Sequence, residues 1–134
     1  MPKSAQTEND LMLFYFNATA MPAYGATLYL SLHTADPSAG GQTTSEASYG
    51  SYARIGVVRT AAGFTVATNS AQNASLVQFA VNTLGANTIT HVAVGTTLAA
   101  AGQILYSTQL AVPLNVIVGT QPQFAAGTLT WTEN

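Results

Sequence analysis

From Thr60 to Thr132 the chain contains not one Asp, Glu, Lys or Arg. Such a stretch must cover its outside with Thr, Ser, Asn, Gln and backbone, and must satisfy whatever polar groups it buries without an ion pair. What it offers is period-two patterning broken by turn residues, the mark of antiparallel β-structure. Phe64–Ala67 reads as a short strand closed by a turn over Asn69–Asn73. Residues 74–81 set Leu76 against Val77, Phe79 and Val81, and residues 88–95 set Ile89, His91 and Ala93 against Thr90, Val92 and Val94. Segments 103–108 and 110–118 flank a break near Gln109, where Pro113 marks an edge position or a bulge because it has no N–H to give a ladder. Gly119–Pro122 reads as a turn, and Thr128–Thr132 as the last strand.

Upstream, Thr27–His33 organises the rest. Leu28, Leu30 and Leu32 alternate with Tyr29, Ser31 and His33, so one face can enter a core while the other stays polar. Asp36-Pro37 ends this strand, and a glycine- and serine-rich loop follows over residues 38–51, longer than most connections in compact domains and readable as a binding arm or as a plain excursion. Tyr52–Thr60 resumes the alternation. Before all of this, residues 1–20 form a helical arm: Thr7 or Asn9 is placed to cap a short helix ending near Asn17, with Glu8 and Asp10 at its positive end. Leu11, Phe14 and Tyr15 share one face, and Met12, Leu13 and Phe16 occupy others. A helix apolar nearly all round either closes one end of the core or docks on another chain.

A single domain spanning residues 1–134, 48% hydrophobic, is long enough for a proper core. Only 6% of it is charged, with a formal net charge of −2, and a surface with so little self-repulsion suits a molecule packed against its neighbours, here as a dimer or trimer. Lys3, Arg54 and Arg59 cannot make a phosphate-neutralising stripe, which argues against nucleic acid. No apolar run spans a bilayer and no signal-peptide core follows Met1–Ala5, so no membrane partner is expected. Zero cysteines exclude disulfides and thiolate metal sites.

Catalytic patterns fail in turn. The acids Glu8, Asp10, Asp36, Glu46 and Glu133 fall in terminal or loop segments. A Ser–His–Asp set drawn from the many serines, His33 or His91 and Asp36 has no Gly-x-Ser-x-Gly elbow to present it. No metal or cofactor is expected, since two histidines lack a carboxylate at ligand spacing and Gly40-Gly41 lacks the P-loop lysine. Interface residues are the better candidates. Leu11, Phe14 and Tyr15 represent the helix, and Tyr49 and Tyr52 flank Gly50 at the end of the long loop. Arg54 and Arg59 project to opposite faces of a strand, so at most one faces inward, where it would clamp the long loop through Asp36 or backbone carbonyls; either could instead reach a neighbouring subunit.

The combination of an apolar N-terminal helix, Thr27–Pro37 with its Leu-His-Thr-Ala-Asp-Pro, Ser51-Tyr52-Ala53-Arg54, Thr90–Gly95 and Phe124–Thr130 resembles a family of small tailed-bacteriophage structural proteins. Members of that family are often labelled tail fibre proteins, and some look like capsid cement or decoration proteins. The resemblance implies a jelly-roll-like antiparallel β-sandwich, all-β but for the short N-terminal helix, without enzyme activity. It implies a cement protein on the outer surface of the capsid, bound to the major capsid protein of the same virion, or alternatively a tail or fibre component that binds a host ligand or joins tail parts.

Overall fold

In a computed structural model, which describes residues 3–134, the chain forms one helix and nine strands: α1 (Ala5–Asn17), β1 (Thr27–His33), β2 (Ile55–Val58), β3 (Phe64–Ala67), β4 (Ser70–Asn73), β5 (Val77–Gln78), β6 (Asn87–Gly95), β7 (Ile104–Val116), β8 (Gln123–Phe124) and β9 (Thr130–Thr132). Met1 and Pro2 of the expected arm lie outside the described residues. One antiparallel sheet has the order β2-β1-β6-β7, a second β3-β4-β9, and β5 pairs with β8 in a two-stranded ribbon. The expected all-β antiparallel sandwich with one short helix is what the chain builds. Its core lies where Leu28, Leu30, Leu32, Val92 and Val94 of the large sheet meet Val77 and Phe79, Trp131 of the small sheet and Leu129 just before it.

Several elements differ from expectation for identifiable reasons. Ser70–Asn73 is a strand and not a turn. Asn73 is buried, and its side-chain amide donates to the carbonyls of Ser75 (3.0 Å), Phe124 (3.3 Å) and Ala125 (3.0 Å) while accepting from Leu129 N (3.0 Å). A residue type that reads as a turn former is here a staple across the sandwich. Residues 74–81 contribute only the short β5; Val77 and Phe79 point inward as expected, but Val81 is exposed.

Ile104–Val116 is one continuous strand, β7, on the sheet edge, so the expected break near Gln109 is absent. The irregularity is a wide bulge instead: the two steps from Ile89 to His91 on β6 face the five steps from Leu114 to Gln109 on β7. The exposed Pro113 sits in the excess, where no ladder bond needs its missing N–H. That slip also shifts the phase of β6, so Ile89 joins Val92 and Val94 in the core in place of siding with His91 and Ala93.

The loop over residues 38–51 is no loose excursion. Ala47 N donates to Leu32 O at 2.8 Å and Thr34 N to Ser45 O at 2.8 Å, so the loop's end runs on along the flank of β1. Gln42 is fully buried: its Oε1 accepts from Thr97 N (3.0 Å) and Thr97 Oγ1 (2.9 Å), and its Nε2 donates to Thr97 O (3.2 Å). The loop thereby covers the polar face of the large sheet, where Ser31 and His33 lie.

Candidate interaction surface

The helix is capped three residues before Thr7 and five before Asn9, the two positions the sequence suggested. Ser4 is the N-cap, extended at φ −74° and ψ 158°, and its hydroxyl accepts from Thr7 N at 3.2 Å. Tertiary contacts decide between Ser4 and the alternatives Thr7 and Asn9. Ser4 N reaches Leu105 O at 3.4 Å, the Ser4 and Thr7 hydroxyls both donate to Ile104 O, and Gln103 Nε2 reaches Thr7 Oγ1 (3.0 Å) and Asp10 Oδ2 (2.9 Å). At the chain's other end Glu133 takes Lys3 Nζ and the Tyr106 hydroxyl, tying the two termini beside the start of β7. Burial pulls the Glu133 carboxyl upward, but those hydrogen bonds and the Lys3 charge outweigh it and hold it below the usual carboxylate range.

All of these attachments use the polar side of the helix, and Thr7 is its buried residue. The apolar side faces solvent. Met12, Phe14, Tyr15 and Phe16 are 57, 47, 70 and 76% exposed, and Leu11 is half-buried. The expectation that the helix closes the core is therefore corrected: β7 holds α1 by backbone carbonyls and leaves its hydrophobes outside. The outward stripe runs through Met12, Tyr15 and Phe16 at the i, i+3, i+4 spacing, with Glu8 one turn ahead of it. Aromatic side chains carry roughly 150–250 Å² each, so these exposures leave an apolar surface on the order of 400–500 Å² on one short helix, as large as the largest patch of a typical monomer.

A second apolar feature lies at the same end of the sandwich. Between the sheets, Leu28, Val94 and Leu105 on one wall face Phe64, Ala71 and Trp131 on the other across an open cleft of about 510 Å³. Arg59 and Tyr106 stand on its rim, beside the exposed Val66. Trp131 itself is fixed, its Nε1 donating to Val92 O at 3.2 Å and its ring meeting Phe64 edge-on at 6.0 Å. Sequence reading did not single out Trp131 or this cleft. The available signal was the chain's one tryptophan sharing a strand face with Leu129.

The other expected contact residues go elsewhere. Tyr49 is 4% exposed, its hydroxyl donating to Ala80 O at 3.0 Å. Tyr52 donates to Glu46 Oε2 (2.7 Å) and accepts from Leu32 N (3.1 Å); burial first, and then the bond to Glu46, push its pKa far above the ordinary tyrosine value. Arg54 is 6% exposed and saturated: Nε and Nη2 grip Glu46 at 2.7 and 2.8 Å, Nη1 donates to Thr97 O and Thr97 Oγ1, and Nη2 donates to Ala100 O at 2.8 Å. The clamp on the long loop thus runs through Glu46 and not Asp36. Arg59 points the other way, as its spacing from Arg54 implied, and binds Gly25 O (2.7 Å) and Tyr24 O (3.0 Å) at the surface.

Of the histidines, His33 is sealed under the loop, with Nδ1 donating to Thr44 O at 2.8 Å; Nε2 must then accept, and Ser31 Oγ supplies the proton at 2.7 Å. Burial holds the His33 pKa below the ordinary histidine value. This Ser–His contact has no carboxylate behind it, and both side chains are fully buried, beyond the reach of a substrate. Among the described residues no group of three or more His, Asp or Glu is placed to hold a metal ion. The exposed hydrophobes of α1 and the open cleft beside it are the candidate interaction surface.

No curated protein matches the sequence. The model of the podophage GP4 fiber I protein gp80 family matches residues 2–132, nearly the whole chain, and the chain belongs to that family of phage structural proteins.

Proposed function

We propose that the protein is a non-enzymatic fibre component of the virion, joined to a neighbouring virion protein through the outward face of α1. The observation that carries this reading is the way the helix is mounted. Its polar side is bonded to Ile104, Leu105 and Gln103, and Met12, Tyr15 and Phe16 are left facing solvent on a rigid support. A hydrophobic stripe held outward by specific hydrogen bonds is what helix-to-groove docking needs. Membership of a fibre-protein family supports the location. The test is particle assembly with a chain lacking residues 1–17, and with the double variant Tyr15→Ser, Phe16→Ser, followed by quantitative densitometry of purified virions. Both should be lost from the particle while the sandwich folds; undiminished incorporation would overturn the reading.

A second reading, a cement protein on the outer capsid surface bound to the major capsid protein, is favoured by one feature. With 6% charged residues the sequence has the composition of a packed shell component, and it contains no collagen-like or coiled-coil shaft. The same densitometry separates the two, because a cement protein occurs in hundreds of copies per particle and a fibre in far fewer.

A further inference from the structure

We infer that the neighbour seated on α1 is a second copy of this chain: two copies associate about a two-fold axis, each placing its Met12–Tyr15–Phe16 stripe in the other's inter-sheet cleft. This rests on the reading of α1 as a docking helix and names its occupant. A two-fold interface requires that one molecule carry both complementary surfaces on the same side, since each contact is made twice with the roles exchanged. That is the arrangement here. The helix is bonded to the first residues of β7, Ile104 and Leu105, and Leu105 and Tyr106 are also part of the cleft. The knob and the hole are adjacent but do not fill one another within one chain.

Size and chemistry agree. An apolar cavity of about 150 Å³ holds one benzene, so a cleft of about 510 Å³ has room for the Tyr15 and Phe16 rings together with the Met12 thioether. The helix patch and the cleft mouth, each buried twice in a symmetric pair, reach the lower end of the roughly 1,200–2,000 Å² that stable complexes bury. Charge matches as well. Among the described residues the ion pairs are Lys3–Glu133 and Arg54–Glu46, so Arg59 on the cleft rim and Glu8 at the head of the stripe, like Asp10 and Asp36, take part in no ion pair of their own chain. A stripe lying in the partner's cleft carries Glu8 toward that Arg59.

The test uses the purified full-length chain in sedimentation velocity from low to high micromolar concentration, together with acrylamide quenching of Trp131, the one tryptophan in the sequence, which lines the cleft. The expected result is a monomer–dimer equilibrium in which quenching falls as dimer forms. Tyr15→Ser with Phe16→Ser on the helix, and separately Ala71→Phe filling the cleft from within, should each weaken the dimer at least tenfold. A photoreactive benzoylphenylalanine in place of Phe16 should cross-link to residues 59–71 of the other copy. A strict monomer, a dimer indifferent to both variants, or cross-links to another surface would overturn the inference. If truncation of α1 removes the protein from virions while the pure chain stays monomeric, docking stands and self-association fails. If the chain dimerises and the truncated form is still incorporated, the reverse holds.

Discussion

Replacing Glu46 by Gln should destabilise the protein by about 3 kcal/mol, from the range for stranding one partner of a buried pair. The side chains of Arg54 and Glu46 are only 4 and 15% exposed, so the pair is screened little by water. Gln keeps the shape but turns one of the two acceptors facing Arg54 Nε and Nη2 into a donor, and it removes the charge that balances a buried guanidinium. Tyr52 loses strength in its own bond to the same carboxylate. Against a total stability of roughly 5–15 kcal/mol this is a large fraction, and for a domain of this size it corresponds to a fall in Tm of roughly 10 °C. Urea unfolding at neutral pH measures it as a lower midpoint with unchanged slope. The single variant Arg54→Met should cost a comparable amount. The double variant should cost clearly less than the two together, with a coupling of about 2 kcal/mol or more, because neither charge is then left unpaired. A Glu46→Gln loss below about 1 kcal/mol, in the range of exposed pairs, would refute the clamp.

Asn73→Ala should cost about 2–4 kcal/mol in the same assay, since it removes the acceptor of the buried Leu129 N and a donor to the carbonyls of Ser75 and Phe124, while Ala125 O keeps Thr128 N and Thr128 Oγ1. His33 has a folded-state pKa below its unfolded value of 6.5, so the fold binds fewer protons and the stability it contributes is complete above that pH and falls as pH drops beneath it. Thermal melts from pH 7.5 to 5 should show a decline, with a limiting slope of about 1.4 kcal/mol per pH unit, that a His33→Gln variant lacks. Raising salt to about 1 M, where the Debye length is roughly 3 Å, should leave occupancy on purified particles nearly unchanged, because screening hardly touches apolar burial; wholesale release by salt would show that charge is the main attraction.

The strand over Thr27–His33 was legible because its alternation is unbroken: Leu30 and Leu32 are fully buried and Leu28 nearly so. Phe64–Ala67 was legible to the residue for the same reason. Ser70–Asn73 was not, because Ser, Gln and Asn in sequence look alike whether they end a strand or staple one, and only the carbonyls of Phe124 and Ala125, far along the chain, decide which. Phase on β6 was lost at the bulge opposite Leu110–Pro113, a property of the partner strand that β6 does not encode. At the interaction surface the helix itself could be read, but not which way it faced. An all-round apolar segment says that something must cover it, and whether the chain's own core does so depends on surfaces assembled from residues a hundred positions away, here Gln103 to Leu105.

The placement of the charges has a consequence for how such a molecule recognises anything. Among the described residues the ion pairs fasten the exceptional parts, Lys3–Glu133 the termini and Arg54–Glu46 the long loop. Within the charge-free stretch the same work falls to amides. Asn73 and Asn82 are buried, and Asn82 Nδ2 bridges Gly85 O and Val116 O while its Oδ1 accepts from Leu84 N. An amide can saturate carbonyls and N–H groups at once, and as a neutral group it escapes the heavy desolvation cost of an ion. The loops it holds can therefore be rigid without charged side chains at their margins. A surface built this way has little long-range field with which to steer or repel a partner. Discrimination must then come at contact, from shape and from unmatched hydrogen-bond groups, which is where a preformed cleft and a helix held stiffly by its polar side have the advantage over mobile arms.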